Sequence, residues 1–207
     1  MKIIGISGRK QSGKTTAAEF LIDQYWGAAE ALCFADELKD IVCECFGAKG
    51  DDLWGDDKGK QTLLPCGKTA RRVLQIVGTD WFRSLDPDCW VRAYMGGRRL
   101  QIISRYNELI VTPDVRFPNE VKCIQDLGGK VIRLLRCPFP EDKHESETAL
   151  DRIELSAVGI WEPTTDQVIC FDAFIDNRQM SIDEQNEAVW AIVQPWLEEK
   201  ESENEKS

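Results

Sequence analysis

At 207 residues the chain is long enough for one α/β domain with insertions and a full buried core. It carries 26 basic against 36 acidic residues, a net charge of −10 with a pI near 4.8, and that balance argues against a surface built for duplex DNA or an anionic membrane. Eight cysteines come with no CxxC pair and a single histidine, His144, so several cysteines read as small buried hydrophobes in a reduced, cytoplasmic protein. No apolar run approaches a membrane span, and a chain that opens directly on a strand leaves no room for a signal peptide.

The first element is the apolar run Lys2 to Ser7, read as a strand, and Gly8-Arg9-Lys10-Gln11-Ser12-Gly13-Lys14-Thr15 follows it. This is the GxxxxGK[ST] spacing, in which glycine-permitted turns aim backbone N–H groups at phosphates. Gly8, Ser12, Gly13, Lys14, Thr15 and Thr16 are therefore expected to bind a nucleotide polyphosphate. Lys14 brings a point charge, and Thr15, directly after it, brings the hydroxyl for Mg²⁺. A helix over Gly13 to Tyr25 is expected next, as the phosphate cradle requires.

Further strands are expected at Ala31 to Ala35, Leu109 to Pro113, Lys130 to Leu135 and Val168 to Ile175. Helices are expected at Asp36 to Phe46, Thr69 to Arg83, Pro118 to Leu127 and Ser181 to Glu199; the last opens on the capping-box pair Ser181 and Glu184, and Pro195 marks a kink or late break. Strands alternating with helices predict an α/β fold with a central, mostly parallel five-stranded sheet between helical layers. Gly47 to Gly67 reads as a surface excursion, and Cys137 to Glu147, with Pro138 and Pro140, as a flap. The tail from Glu198 to Ser207 holds five Glu, two Lys and no apolar residue, a composition expected to be disordered. The expected organisation is one domain over 1–197, with an insertion at about 36–105 and a lid at about 136–148, followed by the 198–207 tail.

Beyond the phosphate loop come Phe34-Ala35-Asp36-Glu37-Leu38-Lys39, then Thr69-Ala70-Arg71-Arg72-Val73-Leu74-Gln75-Ile76-Val77-Gly78-Thr79-Asp80 with Arg83 beyond it, then Pro87-Asp88-Cys89-Trp90-Val91. Asp114-Val115-Arg116-Phe117-Pro118-Asn119-Glu120, Gly128-Gly129 and His144-Glu145-Ser146-Glu147 follow. From Met1 to about residue 190 this series resembles the deoxynucleoside monophosphate kinases of tailed bacteriophages and prophages, in the P-loop kinase superfamily.

The resemblance implies the P-loop kinase sandwich with a helical acceptor-binding insertion and a short lid. It also implies transfer of the γ-phosphate of ATP, with Mg²⁺, to a dNMP in the cytoplasm, that of the host if phage-encoded, without contact with nucleic acid or membrane; a homodimer is compatible with it. On the acceptor it implies Asp36, Lys39, Arg71, Gln75, Arg83, Trp90, Arg116 and Glu120. Two of these have open alternatives: Asp36 either orients the acceptor or caps its helix, and Trp90 either stacks on the base or sits in the core. Arg136 is the expected lid arginine, ahead of Arg133 and Lys143. Asp114, ending an apolar strand, is placed to reach Mg²⁺. Lys14, Arg71, Arg116, Arg136 and Asp114 make up the expected catalytic set. Ile175-Asp176-Asn177-Arg178 is similar to the strand-Asn-turn that holds adenine in small-molecule P-loop kinases, although Arg178 departs from the usual pattern. A kinase for a hydroxyl acceptor, such as dephospho-coenzyme A or a sugar acid, and a regulatory NTPase are the rival readings.

Overall fold

A computed structural model of the protein describes residues 1–25, 27–55, 58–151, 160–162 and 167–198, so the expected tail lies outside the described residues from 199 onward. The chain divides into two compact units, one of residues 1–32 and 101–207, the other of residues 33–100.

The first unit is built on a five-stranded sheet. Its strands are β1 (Lys2–Gly8), β2 (Ala29–Ala31), β3 (Leu109–Val115), β4 (Lys130–Leu134) and, last in chain order, β7 (Ala173–Ile175), arranged β2-β3-β1-β4-β7 with every neighbouring pair parallel. Parallel strands covered on both faces read as continuous apolar runs, as Ile3-Ile4-Gly5-Ile6 and Leu109-Ile110-Val111 do. Period-two alternation then sends Ile4 and Ile6 to one face, where they join Ala17, Ala18 and Leu21 of α1 (Lys14–Gln24) and Val189, Val193 and Leu197 of α9 (Ile182–Glu198). On the other face lies α7 (Pro118–Asp126): a Cβ on Gly5 would stand 2.7 Å from Ile124 Cδ1, so the missing side chain is what lets helix and strand approach. Because all five strands run the same way, the loops after β1, β3, β4 and β7 leave at the same end of the sheet, the end where ligands bind in such folds.

Several expected boundaries shift. The second strand ends at Ala31, and Cys33 instead bonds through its N–H to Asp36 Oδ2 at 2.9 Å. The expected Val168–Ile175 strand is two elements: β6 (Gln167–Ile169) pairs antiparallel with β5 (Ile160–Glu162), and only β7 joins the main sheet. Between them the Asp172 carboxylate accepts from Val131 N–H and the Gln125 amide, breaking the run. At the start of α9, Ser181 and Glu184 exchange the two expected capping hydrogen bonds, and the helix passes through Pro195 to Glu198.

The second unit is helical: α2 (Asp36–Phe46), α3 (Gly50–Trp54), α4 (Ala70–Gln75), a π-helix over Ile76–Arg83, and α5 (Cys89–Gly96). A further helix, α6 (Arg98–Tyr106), spans the division between the units. The core of the second unit gathers Leu38, Val42, Leu53, Leu64, Val73, Val77 and Trp90. The Gly47–Gly67 excursion is thus corrected, since its Leu53 and Leu64 are buried in that core. Of the eight cysteines only Cys123 is fully buried, and Cys45, Cys66 and Cys170 are exposed.

Candidate active site

The loop between β1 and α1 curls around its own lysine. Gln11 takes φ 56 and Gly13 φ 98; the first is a left-handed conformation that costs a side-chain-bearing residue roughly 1–2 kcal/mol. At Gly13 a Cβ would also run into the Gln185 carboxamide. Lys14 is buried, and its Nζ donates to the Gly8 carbonyl at 2.7 Å and the Arg9 carbonyl at 2.6 Å. Burial pushes the Lys14 ammonium down to about 7, with Arg116 and Arg133 adding to the effect and Glu147 and Asp114 opposing it. A buried ammonium beside two guanidiniums is a setting that favours an anionic ligand.

The neighbouring strands supply those cations. Arg133 lies in β4, fully buried, and donates through Nη1 to Ser7 Oγ at 3.1 Å, while Ser7 Oγ donates to the Val115 carbonyl at 2.8 Å. Its Nη2 pairs with Asp151 at 3.2 Å, and the other oxygen of Asp151 holds Arg9 at 2.9 Å. Arg116, just past β3, ion-pairs with Glu147 of the short helix α8 (Glu145–Thr148) and donates to the Ser146 carbonyl at 3.1 Å. Burial opposes the Arg116 charge, but Glu147, Asp114 and Glu120 outweigh it and raise its pKa above the ordinary value. For Glu147 burial alone would push the carboxyl up; Arg116, Lys14 and the Lys10 N–H reverse that and hold it below the usual range.

Of the expected residues in this unit, the structure brings Lys14, Asp114 and Arg116 together around the phosphate loop. Thr15 is exposed on the first turn of α1 and Asp114 is half-buried at the end of β3. Arg136 is placed elsewhere: its Nε and Nη2 donate to the Asn177 carbonyl at 3.0 and 2.6 Å, and Nη2 also bonds the Met180 carbonyl. Arg133, the other arginine of this stretch, is the one whose charge acts on Lys14. Asn177 is fully buried, and its carboxamide donates to Ser12 O at 2.7 Å and Gln185 Oε1 at 2.5 Å while accepting from Arg136 N–H at 2.8 Å. Its side chain fastens the phosphate loop from beneath. Glu120 is corrected from acceptor contact to positioning group, because its buried carboxylate accepts from Arg116 N–H at 2.6 Å and Phe117 N–H at 3.1 Å, capping α7.

In the helical unit, Arg71 and Gln75 are half-buried on α4, whereas Arg72 is exposed and pairs with Asp80 at 3.5 Å. Arg83 donates to the Pro87 carbonyl at 2.9 Å. Both Asp36 oxygens are engaged, one by Cys33 N–H and the other by Lys39 Nζ at 3.2 Å and Trp54 Nε1 at 3.3 Å. Of the two alternatives for Trp90, the structure has the core one: it is 5% exposed, and its indole N–H donates to Gly78 O at 2.9 Å.

Glu147, Gln185 and Asp151 escaped the sequence reading as site residues, and Arg133 stood there only as a runner-up. An arginine inside an apolar strand was the available signal for Arg133; the carboxylates and Gln185 each reach the 8–15 loop from 137 or more residues away in chain, which spacing cannot show.

An α/β fold with a glycine-shaped phosphate loop at the carboxyl end of a parallel sheet is compatible with a P-loop kinase. A protein of Acanthamoeba polyphaga mimivirus named "Putative deoxynucleotide monophosphate kinase" is 35% identical over 165 residues, covering 74% of this chain and 84% of its own length. The chain belongs to that family of deoxynucleotide monophosphate kinases. No family model matches it. Among solved structures, the crystal structure of APE1195 aligns with 95% of this chain and 97% of its own at 16% identity, with a TM-score of 0.44.

Proposed function

We propose that the protein transfers the γ-phosphoryl group of ATP to a deoxynucleoside monophosphate, giving ADP and a dNDP for DNA synthesis. The observation that carries this reading is the charge pattern of the site: Lys14, Arg116 and Arg133 converge on the phosphate loop, while Glu147 and Asp151 are held in arginine ion pairs. A phosphate acceptor suits such a site, since its second pKa is about 6 and it arrives largely deprotonated at neutral pH. The difficulty is bringing two polyanions together, which positive charge and exclusion of water overcome.

Lys14 follows the transferring group, and the backbone N–H groups of 8–15 cradle the donor phosphates. In the first unit Arg116 is the arginine for the acceptor phosphate, suited to it by its paired N–H donors; in the helical unit Arg71, Arg83, Lys39 and Gln75 are the acceptor residues of this reading, and Asp36 serves by holding Lys39. Asn177 holds the phosphate loop from beneath, and Arg136 braces the turn that carries Asn177. An exposed hydroxyl on Thr15 and a half-buried Asp114 carboxylate form an oxygen set that fits Mg²⁺, which when bound neutralises charge developing on the phosphates. Among the described residues no helix is long and apolar enough to cross a membrane.

The test is ADP release with Mg-ATP and each of the four dNMPs, the matching NMPs and dephospho-coenzyme A. A good dNMP should turn over at about 1–100 s⁻¹. Rapid phosphorylation of the hydroxyl acceptor with no response to any dNMP would favour the rival kinase, and ATP hydrolysis that no acceptor accelerates would favour a regulatory NTPase.

A further inference from the structure

Residues 139–151 lie on the phosphate loop at four points. The Phe139 ring sits 4.7 Å from Lys10 Nζ, the Asp142 carbonyl accepts from Arg9 Nη1 at 2.9 Å, and Asp151 pairs with Arg9 at 2.9 Å. The fourth contact differs in kind, because Glu147 Oε2 accepts the backbone N–H of Lys10 at 2.8 Å. Its other oxygen pairs with Arg116. The Glu147 side chain is 3% exposed, so solvent does not share in these bonds.

A carboxylate bonded to a phosphate-loop N–H and to an arginine does what a phosphate oxygen would do there. It has the same sign of charge and the same acceptor chemistry, and it faces Arg116 and Lys14 with the charge that a phosphate would bring. A phosphate and this carboxylate cannot share the position, because two like charges a few ångströms apart repel strongly where water is excluded.

We propose that Glu147 is an internal anion that occupies the seat of the nucleotide's terminal phosphate in the ligand-free protein, and that ATP expels it, releasing Arg116 and the 139–151 segment. The inference rests on assigning the 8–15 loop to ATP. It adds a discrimination between substrate and product: ATP brings a third phosphate to the seat, whereas ADP leaves it empty and Glu147 returns. Release of Arg116 is thereby timed to the arrival of the phosphoryl group to be transferred.

Calorimetric titration of ATP and ADP, without acceptor, into the wild-type protein and Glu147→Gln tests this. The substitution keeps size and an accepting oxygen but removes the charge. ATP should bind the variant roughly three- to tenfold tighter, the difference between displacing a charged contact and a neutral one, with ADP affinity within about twofold. ATP binding that is equal or weaker, or ADP tightened as much as ATP, overturns the proposal while leaving the kinase reading to the acceptor panel. Failure of both proteins to bind ATP overturns both. Should the variant not fold, the wild type still decides: backbone hydrogen exchange over 146–150 should accelerate with ATP and not with ADP, and protection by ATP refutes the expulsion.

Discussion

The Asn177 side-chain amide donates to the Ser12 carbonyl at 2.7 Å across 165 residues of chain, tying the turn after the last strand of the sheet to the phosphate loop. Gln185 completes the tie by donating to the Gly13 carbonyl at 3.2 Å while accepting from Asn177. The loop is held from below, through the carbonyls of Ser12 and Gly13.

Asn177→Ala should therefore act on both stability and donor binding. It strips partners from buried groups, each loss costing about 1–3 kcal/mol, so the ligand-free protein should melt roughly 4–10 °C lower. ATP affinity should fall with it, and Asn177→Asp should not restore either, because a carboxylate cannot donate to Ser12. An unchanged melting temperature with a pure loss of adenine selectivity would return Asn177 to the base-binding role.

Lys14→Met removes a buried ammonium and should lower kcat by several orders of magnitude, while the ligand-free melting temperature stays level or rises. The sign with pH follows from its depressed pKa. The folded value is about 7 and the unfolded value about 10.4, so between these the unfolded chain holds more protons. Stability from this group therefore increases as pH rises from 7 toward 10.4. Polyphosphate raises the pKa again, so ATP binding near pH 8 should take up close to one proton. Calorimetry in buffers of different ionisation enthalpy reads this, and zero uptake at pH 8 would show Lys14 already charged in the free protein.

Arg71→Ala and Arg116→Ala separate acceptor from donor. Each should raise KM for dNMP or depress kcat by roughly 10- to 100-fold, the worth of a charge-assisted paired contact, with ATP affinity within a few-fold. Arg116→Ala carries an extra signature, since it strands the buried Glu147 carboxylate and should also lower the melting temperature. If steady-state kinetics showed an equal loss for ATP, both arginines would belong to the donor.

Trp90→Phe keeps most of the core volume but leaves the Gly78 carbonyl without its indole donor. The expected cost is about 1–3 kcal/mol of stability, with KM for every dNMP close to wild type. A selective rise in KM for purine acceptors at unchanged stability would reinstate base stacking.

The sequence by itself determined what is local. Motif spacing placed the loop between β1 and α1, apolar runs placed three of the five sheet strands closely, and the Ser181–Glu184 pair placed the start of the last helix, because each depends on neighbours within a few residues. Tertiary structure alone decided which charges meet. Arg133 and Arg136 are three residues apart on either side of the end of β4, and nothing in their spacing says that the first faces Ser7 and the second turns to Asn177. Trp90 and Glu120 fit a nucleotide as well as a core or a cap until their partners, Gly78 O and the N–H groups of Arg116 and Phe117, are seen. Glu147 meets the Lys10 N–H from 137 residues away, a contact made by the parallel order of the strands, which delivers their following loops to one end of the sheet. Hydrogen bonds and ion pairs act over a few ångströms of space regardless of separation along the chain, so local pattern could mark these residues as polar but could not choose their partners.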